Sequence, residues 1–349
     1  MRKTFDYVDG NMDILMYDNT VRKIKDVKKG DLVYSVQYDG EIHQYIKGEV
    51  TDVNRRKGKA VKITLADGRS LISSPNHQWL TQLGWLFTYD DGSLGEDKVY
   101  LKNDVKMSGI GGKIAKNYEE TKQYMEGYFL GIEIYGKNLV GLKGGEMAEF
   151  VLCESAVTMR LYNYLLYLGI EASIEPCFAH NNNTNEHFVT AKLNLPYTQM
   201  VMLSEKFAKD RDKDEFLRGF IAGVYDSDGS NNPVVKTLAS AKMKYLEILK
   251  KGLELYNFEY EYNSQDMSAT LFGGASELLR FYHIFTPVLT QQFEHVPMSN
   301  VHNDTIKVVS IEEIKRREEL IEITTSGRNF IANGVVSHNC TTGMFREVQ

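Results

Sequence analysis

Hydrophobic and polar positions change rhythm twice along this chain. Over the first hundred residues they alternate in short runs broken by turn residues, the period-2 pattern of half-buried strands. Residues 21–24 and 31–36 are two such runs, split by Lys29-Gly30. Residues 42–53 and 61–65 follow, the latter entering the turn Ala66-Asp67-Gly68-Arg69. From about Tyr118 the apolar residues recur at helical spacing. That spacing predicts helices over 121–135, 155–168, 213–225, 241–256 and 275–285. Beyond about Asn303 the pattern is strand-like again, over 305–311, 319–324 and 330–332. The order is β, then mixed α/β, then β. One all-β domain interrupted by an insert explains it most simply, because insertions are tolerated at exposed loops whose ends lie close together.

The insert repeats internally. Phe129-Leu130-Gly131-Ile132-Glu133-Ile134-Tyr135-Gly136 and Ile221-Ala222-Gly223-Val224-Tyr225-Asp226-Ser227-Asp228 are alike, and their matching ends, Gly136 and Asp228, lie 92 positions apart. A period this long indicates two copies of one fold unit and not a solenoid, whose repeats run about 20–50 residues.

Composition narrows the class. A chain of 349 residues holds about two domains, and 42% apolar with 25% charged residues is ordinary globular composition. No apolar run reaches the roughly 20 residues of a membrane span, and residues 1–6 lack a signal-peptide core. Cys153, Cys177 and Cys340 show neither disulfide nor metal spacing, which fits a reducing compartment and a cytoplasmic location. The net charge of −6 argues against a dedicated nucleic-acid binder.

The chemistry concentrates in Ser337-His338-Asn339-Cys340. An Asn carboxamide can attack its own backbone carbonyl, closing a succinimide and releasing the segment that begins at Cys340. His338 can supply or relay the proton, and Cys340 offers a thiol nucleophile. Alone, such a tripeptide is also compatible with an ordinary surface turn.

Other motifs stand in a fixed order around it. They are Val8-Asp9-Gly10-Asn11, Lys29-Gly30-Asp31-Leu32-Val33, Ser74-Pro75-Asn76-His77, Leu320-Ile321-Glu322-Ile323-Thr324, Asn329-Phe330-Ile331-Ala332-Asn333-Gly334 and Val335-Val336-Ser337-His338-Asn339-Cys340. Together these segments resemble the motif blocks of an intein, in the Hint (hedgehog/intein) fold, and the repeated insert resembles a LAGLIDADG homing endonuclease. The implied fold class is a two-domain protein, an all-β Hint splicing domain interrupted by an α+β LAGLIDADG domain of two pseudo-symmetric repeats. The splicing parts would be 7–117 and 303–339. The insert would be 118–302, with repeats at about 121–205 and 213–300. Residues 1–6 and 340–349 would be extein remnants.

The resemblance implies self-excision and extein ligation by acyl shift, transesterification and Asn cyclisation, with the flanking exteins as partners in cis, no cofactor and a monomeric state. His77 matches the residue that protonates the departing amide nitrogen, with Ser74 in support. Glu322 stands where the family commonly has an Asp that coordinates the two ends. Asn339, with His338, would cyclise, and Cys340 would receive the acyl group.

Two departures shape the expectation. The first nucleophile, Cys or Ser in the family, is here Tyr7. A phenol is bulky and rigid, and its oxygen cannot reach the preceding carbonyl in a five-membered ring. Cys153 and Cys177 lie in the insert, away from the expected centre, so a precursor blocked at the N-terminal junction is expected. Arg328 stands where many inteins have a second His, which would slow the C-terminal step. In the endonuclease-like part, Gly131 and Gly223 occupy the helix crossing, and Asp228 matches a Mg²⁺-binding acid. Its counterpart is Gly136, followed by Lys137, and Glu133 lies nearly a turn back. Two-strand DNA cutting is therefore not expected; nicking or pure binding of double-stranded DNA stays open. Residues 118–300 carry 16 Lys and Arg against 24 Asp and Glu, a disadvantage for phosphate binding. Lys236, Lys242, Lys244, Lys250 and Lys251 could form a local basic face or a solvated helix surface. The alternative to an intein precursor is a DNA-binding or nicking endonuclease with a vestigial splicing domain. A hedgehog-like autoprocessor ranks third, since it needs a nucleophile at the first junction and leaves Asn339-Cys340 unexplained.

Overall fold

The computed structural model describes residues 6–38, 43–110, 117–135, 147–152, 154–181, 186–228, 237–239, 243–263, 265, 268–290 and 305–339. The chain divides into two compact units. The first comprises Met1–Asn117, Gly273–His283 and Phe293–Gln349; the second comprises Tyr118–Phe272 and Ile284–Gln292. No helix among the described residues is long and apolar enough to cross a membrane.

The first unit is built on a twelve-stranded sheet. Its spine is an antiparallel pair, His43–Leu65 with Thr305–Thr325. Hydrophobic alternation predicted each of these as two shorter strands. The alternation lapses over 54–59, where the side chains are mostly exposed, yet the backbone ladder carries on through it, with Arg56 opposite Leu320 and Lys57 opposite Glu319. Ladder hydrogen bonds are made by the main chain, so they leave no mark in side-chain periodicity. The short strand Val8–Asp9 is sandwiched in this sheet: Val8 pairs with Ile321 on one side and with Ser73 on the other. Val8, Ile14, Ile63, Trp79, Ile321, Ile323, Phe330 and Val335 are buried in one apolar core. Wedging Val8 into that core fixes the backbone of the residue before it.

The end of the unit is a hairpin, Asn329–Ala332 with Val335–His338. Asn333 (φ 47) and Gly334 (φ 78) form its two-residue loop. Left-handed conformations at both positions are what a type I′ turn needs, and Asn-Gly is the pair that adopts them most readily. The Asn333 side chain locks the turn to the rest of the unit: its Oδ1 accepts from Asp13 N–H (2.7 Å) and its Nδ2 donates to the Ser70 carbonyl (3.0 Å). This turn sets the register in which Asn329 faces His338.

The described residues contain six α-helices: α1 (Lys122–Tyr135), α2 (Ser155–Tyr167), α3 (Tyr197–Phe207), α4 (Asp214–Asp228), α5 (Met243–Leu255) and α6 (Gly274–Phe285). In the second unit, α1 and α4 approach closely enough to require glycine. A Cβ at Gly219 would lie 1.8 Å from the Tyr124 carbonyl oxygen, and one at Gly131 would lie 2.3 Å from that of Phe220. Two three-stranded antiparallel sheets accompany the helices, with Glu186–Pro196 central in one and Ser268–Leu271 central in the other. Along the chain, both halves run helix, strand, helix, two strands, helix.

The sequence pattern places helix α6 in the insert, whereas ten of its residues belong to the first compact unit. There His283 Nδ1 lies 2.5 Å from the Asn19 carbonyl oxygen and Ser276 Oγ lies 3.1 Å from the Tyr45 hydroxyl. An amphipathic pattern says that one face is buried; it does not say against what.

Candidate active site

The first unit gathers both ends of its described chain into one buried cluster. Tyr7 is held to Ser74 by two hydrogen bonds: its N–H donates to Ser74 Oγ (3.3 Å) and its carbonyl accepts from Ser74 N–H (2.8 Å). The phenol ring packs with Ala60 and Leu320, and the Arg56 guanidinium lies 4.3 Å from the ring centroid. The Tyr7 side chain therefore packs, and it offers no thiol or aliphatic hydroxyl to the carbonyl that precedes it.

His77 is fully buried and rests edge-on against Trp79, ring centroids 4.6 Å apart. Its Nε2 lies 2.9 Å from Ser337 Oγ, while Nδ1 is buried with no hydrogen-bond partner among the described residues. Burial pushes its pKa down to about 4, against an opposing pull from the Asp6 carboxylate and backbone. The ring is neutral at physiological pH, so it carries a proton on one nitrogen only. Thr88 supports the segment from behind: its Oγ1 donates to the His77 carbonyl (2.9 Å) and accepts from Trp79 Nε1 (3.0 Å).

His338 closes the hairpin strand. Its Nδ1 lies 2.9 Å from Asp6 Oδ2, and Trp85 stands edge-on to its ring at 5.0 Å. A cavity of about 560 Å³ opens beside it, lined by Gln37, Tyr38, Trp85, Arg328 and Asn329 among others.

Asn339 is fully buried. Its N–H donates to the Arg328 carbonyl (3.1 Å). With the carboxamide oriented by its hydrogen-bond network, Nδ2 also donates to the Arg328 carbonyl (3.1 Å), and Oδ1 accepts from the Thr325 N–H (2.6 Å) and hydroxyl (2.8 Å). Arg328 makes this possible by adopting φ 62, which turns the backbone back after Thr325. Two donors on Oδ1 favour the negative charge that builds there when Nδ2 gives up a proton, so the arrangement suits a carboxamide acting as a nucleophile.

Glu322 is buried opposite Asn54 in the long strand pair, with Asn54 Nδ2 at 3.5 Å from its Oε2. Burial raises its pKa to about 7 and the Asp6 carboxylate adds to this; Asn54, the Asp6 backbone and Arg56 pull the other way. It is half-protonated near neutrality, a state suited to moving protons.

Tyr7 contacts Ser74, His77 contacts Ser337, His338 contacts Asp6, Asn339 contacts Thr325 and Glu322 contacts Asn54, all within the first unit, and Cys340 lies outside the described residues. Sequence reading gives no role to Asp6, Asn54, Ser337 or Thr325, each of which touches one of the motif residues. Ser337 and Asp6 carried a signal, being direct neighbours of motif positions; Asn54 and Thr325 carried none.

The second unit gives less. Gly136, Cys153, Lys236 and Lys242 lie outside the described residues, as do the side chains of Asp228 and Lys244. Lys250 pairs with Glu247 (3.5 Å) and Lys251 with Asp212 (2.7 Å), so both cations face carboxylates. Asp226 is a buried clamp: it accepts the Val288 and Leu289 N–H groups and the Tyr128 hydroxyl. Among the described residues no group of three or more His, Cys, Asp or Glu side chains is placed to hold a metal ion.

No protein-family pattern matches the chain, and no curated protein sequence matches it. Among solved structures it is similar to the Ssp DnaB mini-intein variant M86 (11% identity, 98% of this chain and 99% of that one, TM-score 0.35). It is also similar to a DnaB intein from Synechocystis (9% identity, 96% and 99%, TM-score 0.32). Mesophilic variants of the homing endonuclease I-DmoI match about half of it (15% identity, 48% of this chain and 99% of that one, TM-score 0.36). At these scores the likeness is one of general kind.

Proposed function

We propose that this chain is an autoprocessing protein of the intein kind in which the C-terminal reaction is retained and the N-terminal acyl shift is closed. Asn339 Nδ2 attacks the Asn339 carbonyl carbon, a five-membered succinimide forms, and the bond to Cys340 breaks. Thr325 stabilises the charge on Oδ1. The nitrogen of Cys340 leaves with a proton, and His338, directly preceding, is the titratable ring best placed in sequence to supply it. At the other junction the carbonyl before Tyr7 meets a packed aromatic ring and no thiol or hydroxyl within a five-membered ring.

The observation that carries this reading is the 2.9 Å contact between His338 and Asp6. It puts the residue before the first junction against the residue before the reacting Asn, which is what a protein acting on both of its own ends requires. The test is the mass of purified protein during incubation: loss of residues 340–349, abolished by Asn339→Ala, supports the reading. A mass unchanged over days at neutral pH removes it.

A second reading concerns the α1–α4 pair. Its glycine-mediated crossing favours a LAGLIDADG-like helix pair, and we assign it double-stranded DNA binding without two-strand cleavage. Gel-shift titration against random duplex at low salt tests this; absence of any shift would reject it.

A further inference from the structure

Asp6 places a carboxylate two carbons from the backbone carbonyl that precedes Tyr7. Attack of that carboxylate on its own carbonyl carbon closes a five-membered ring, the geometry that Tyr7 lacks. In a free peptide the side chain rotates away and the bond survives. Here Asp6 is 4% exposed and its Oδ2 is held at 2.9 Å from His338 Nδ1. The far side of the bond is pinned as well, through Tyr7 N–H to Ser74 Oγ (3.3 Å) and Ser74 N–H to the Tyr7 carbonyl (2.8 Å). Fixing both sides removes the rotational freedom that normally protects an Asp-X bond. His77 Nδ1, buried without a hydrogen-bond partner among the described residues, is a polar atom still to be satisfied in the same cluster. The tautomer decides which of Nε2 and the Ser337 hydroxyl donates in their 2.9 Å hydrogen bond.

We propose that the Asp6–Tyr7 bond is a second self-cleavage site, with the Asp6 carboxylate as the intramolecular nucleophile. The inference rests on reading this cluster as an autoprocessing site. The carboxylate oxygen forms a C–O bond to the Asp6 carbonyl carbon, and the C–N bond to Tyr7 breaks. The nitrogen leaves with the electron pair and takes one proton, with Ser74 Oγ as the adjacent polar atom. The product is a cyclic anhydride at Asp6. Water opens it to two carboxylic acids; on ionising they return the proton taken in the first step and release one more, which ends on the new amine. The net reaction is hydrolysis, with water as the only co-reactant.

Incubation of the full chain with hydroxylamine, followed by intact-mass and terminal sequence analysis, tests this. The expected result is a new terminus at Tyr7 and a released peptide of residues 1–6 carrying a hydroxamate on Asp6. Asp6→Ala should cut the yield at least tenfold, and Asp6→Glu, which must close a six-membered ring, should fall between. Matching thermal unfolding midpoints establish that the variants fold; should Asp6→Ala fail to fold, Asp6→Glu carries the comparison. A terminus at Tyr7 that forms at the wild-type rate in the folded Asp6 variant overturns the proposal. So does a peptide free of hydroxamate, or no Tyr7 terminus while residues 340–349 are lost on schedule. Loss of neither segment is instead the failure of the autoprocessing reading itself, and takes this proposal with it.

Discussion

Asp6 and His338 stand 332 positions apart in the chain and 2.9 Å apart in space. The contact is nearly dry: the Asp6 side chain is 4% exposed and that of His338 is 21% exposed. A hydrogen bond in such surroundings orients the imidazole ring by more than it would in water. Asp6→Ala should therefore slow release at Asn339 by about tenfold, the equivalent of ~1.4 kcal/mol and within the usual range for the net worth of an intramolecular hydrogen bond. In a His338→Ala background the same substitution should change nothing further. Equal effects in both backgrounds would mean that Asp6 acts on something other than His338.

The Ser337 hydroxyl is the hydrogen-bond partner of His77 Nε2. Removing that hydroxyl with Ser337→Ala takes away the Nε2 partner of a fully buried histidine whose Nδ1 already has none among the described residues. Such an orphaned group costs about 1–3 kcal/mol. Urea unfolding should register that loss. A stability within error of the wild type would mean that water or the ring's own movement replaces the contact.

Glu322 makes a pH-dependent prediction. Its pKa is raised in the fold from the usual 4.5 to about 7, so the protonated form is the one the fold favours. That contribution is fully present below about pH 4.5 and lost as pH rises through about 7. Glu322→Gln keeps the neutral form at every pH. The variant should match the wild type in thermal midpoint at pH 4 and exceed it at pH 8. A lower midpoint at pH 8 would show that Arg56 and the Asp6 backbone outweigh burial and hold the carboxylate ionised.

Tyr7→Cys exchanges packing for chemistry. The ring fills a pocket with Ala60 and Leu320, and truncating a buried aromatic costs about 3 kcal/mol. The thiol can attack the preceding carbonyl in a five-membered ring, so an added small thiol should cleave the variant at residue 7 and leave the wild type intact on this route. A stable, folded variant that resists thiols would mean that the bond before residue 7 is not the reacting one.

Much of this cluster was legible in the sequence because its parts are chemically marked. Asn339 before a cysteine, and His77 three residues after Ser74, each announce a local event. The close approach of α1 and α4 was readable from Gly131 and Gly223. What could not be read were the relations that tertiary structure alone creates. Asp6 meets His338 only because Val8 is wedged between Ile321 and Ser73. Asn54 reaches Glu322 only because a strand of 23 residues runs on through an exposed stretch with no alternation. Helix α6 shows the same limit, since its pattern marked a buried face and left the partner unstated.

The central claim is that Asn339 cuts its own chain. Intact-mass spectrometry of the purified protein through a time course at neutral pH tests it most directly. The account predicts a growing species that lacks residues 340–349 and is lighter by a further water at its new end, because it terminates in a succinimide; that species should be missing from Asn339→Ala. Persistence of the full-length mass in the wild type, or formation of the same fragment in Asn339→Ala, would contradict it.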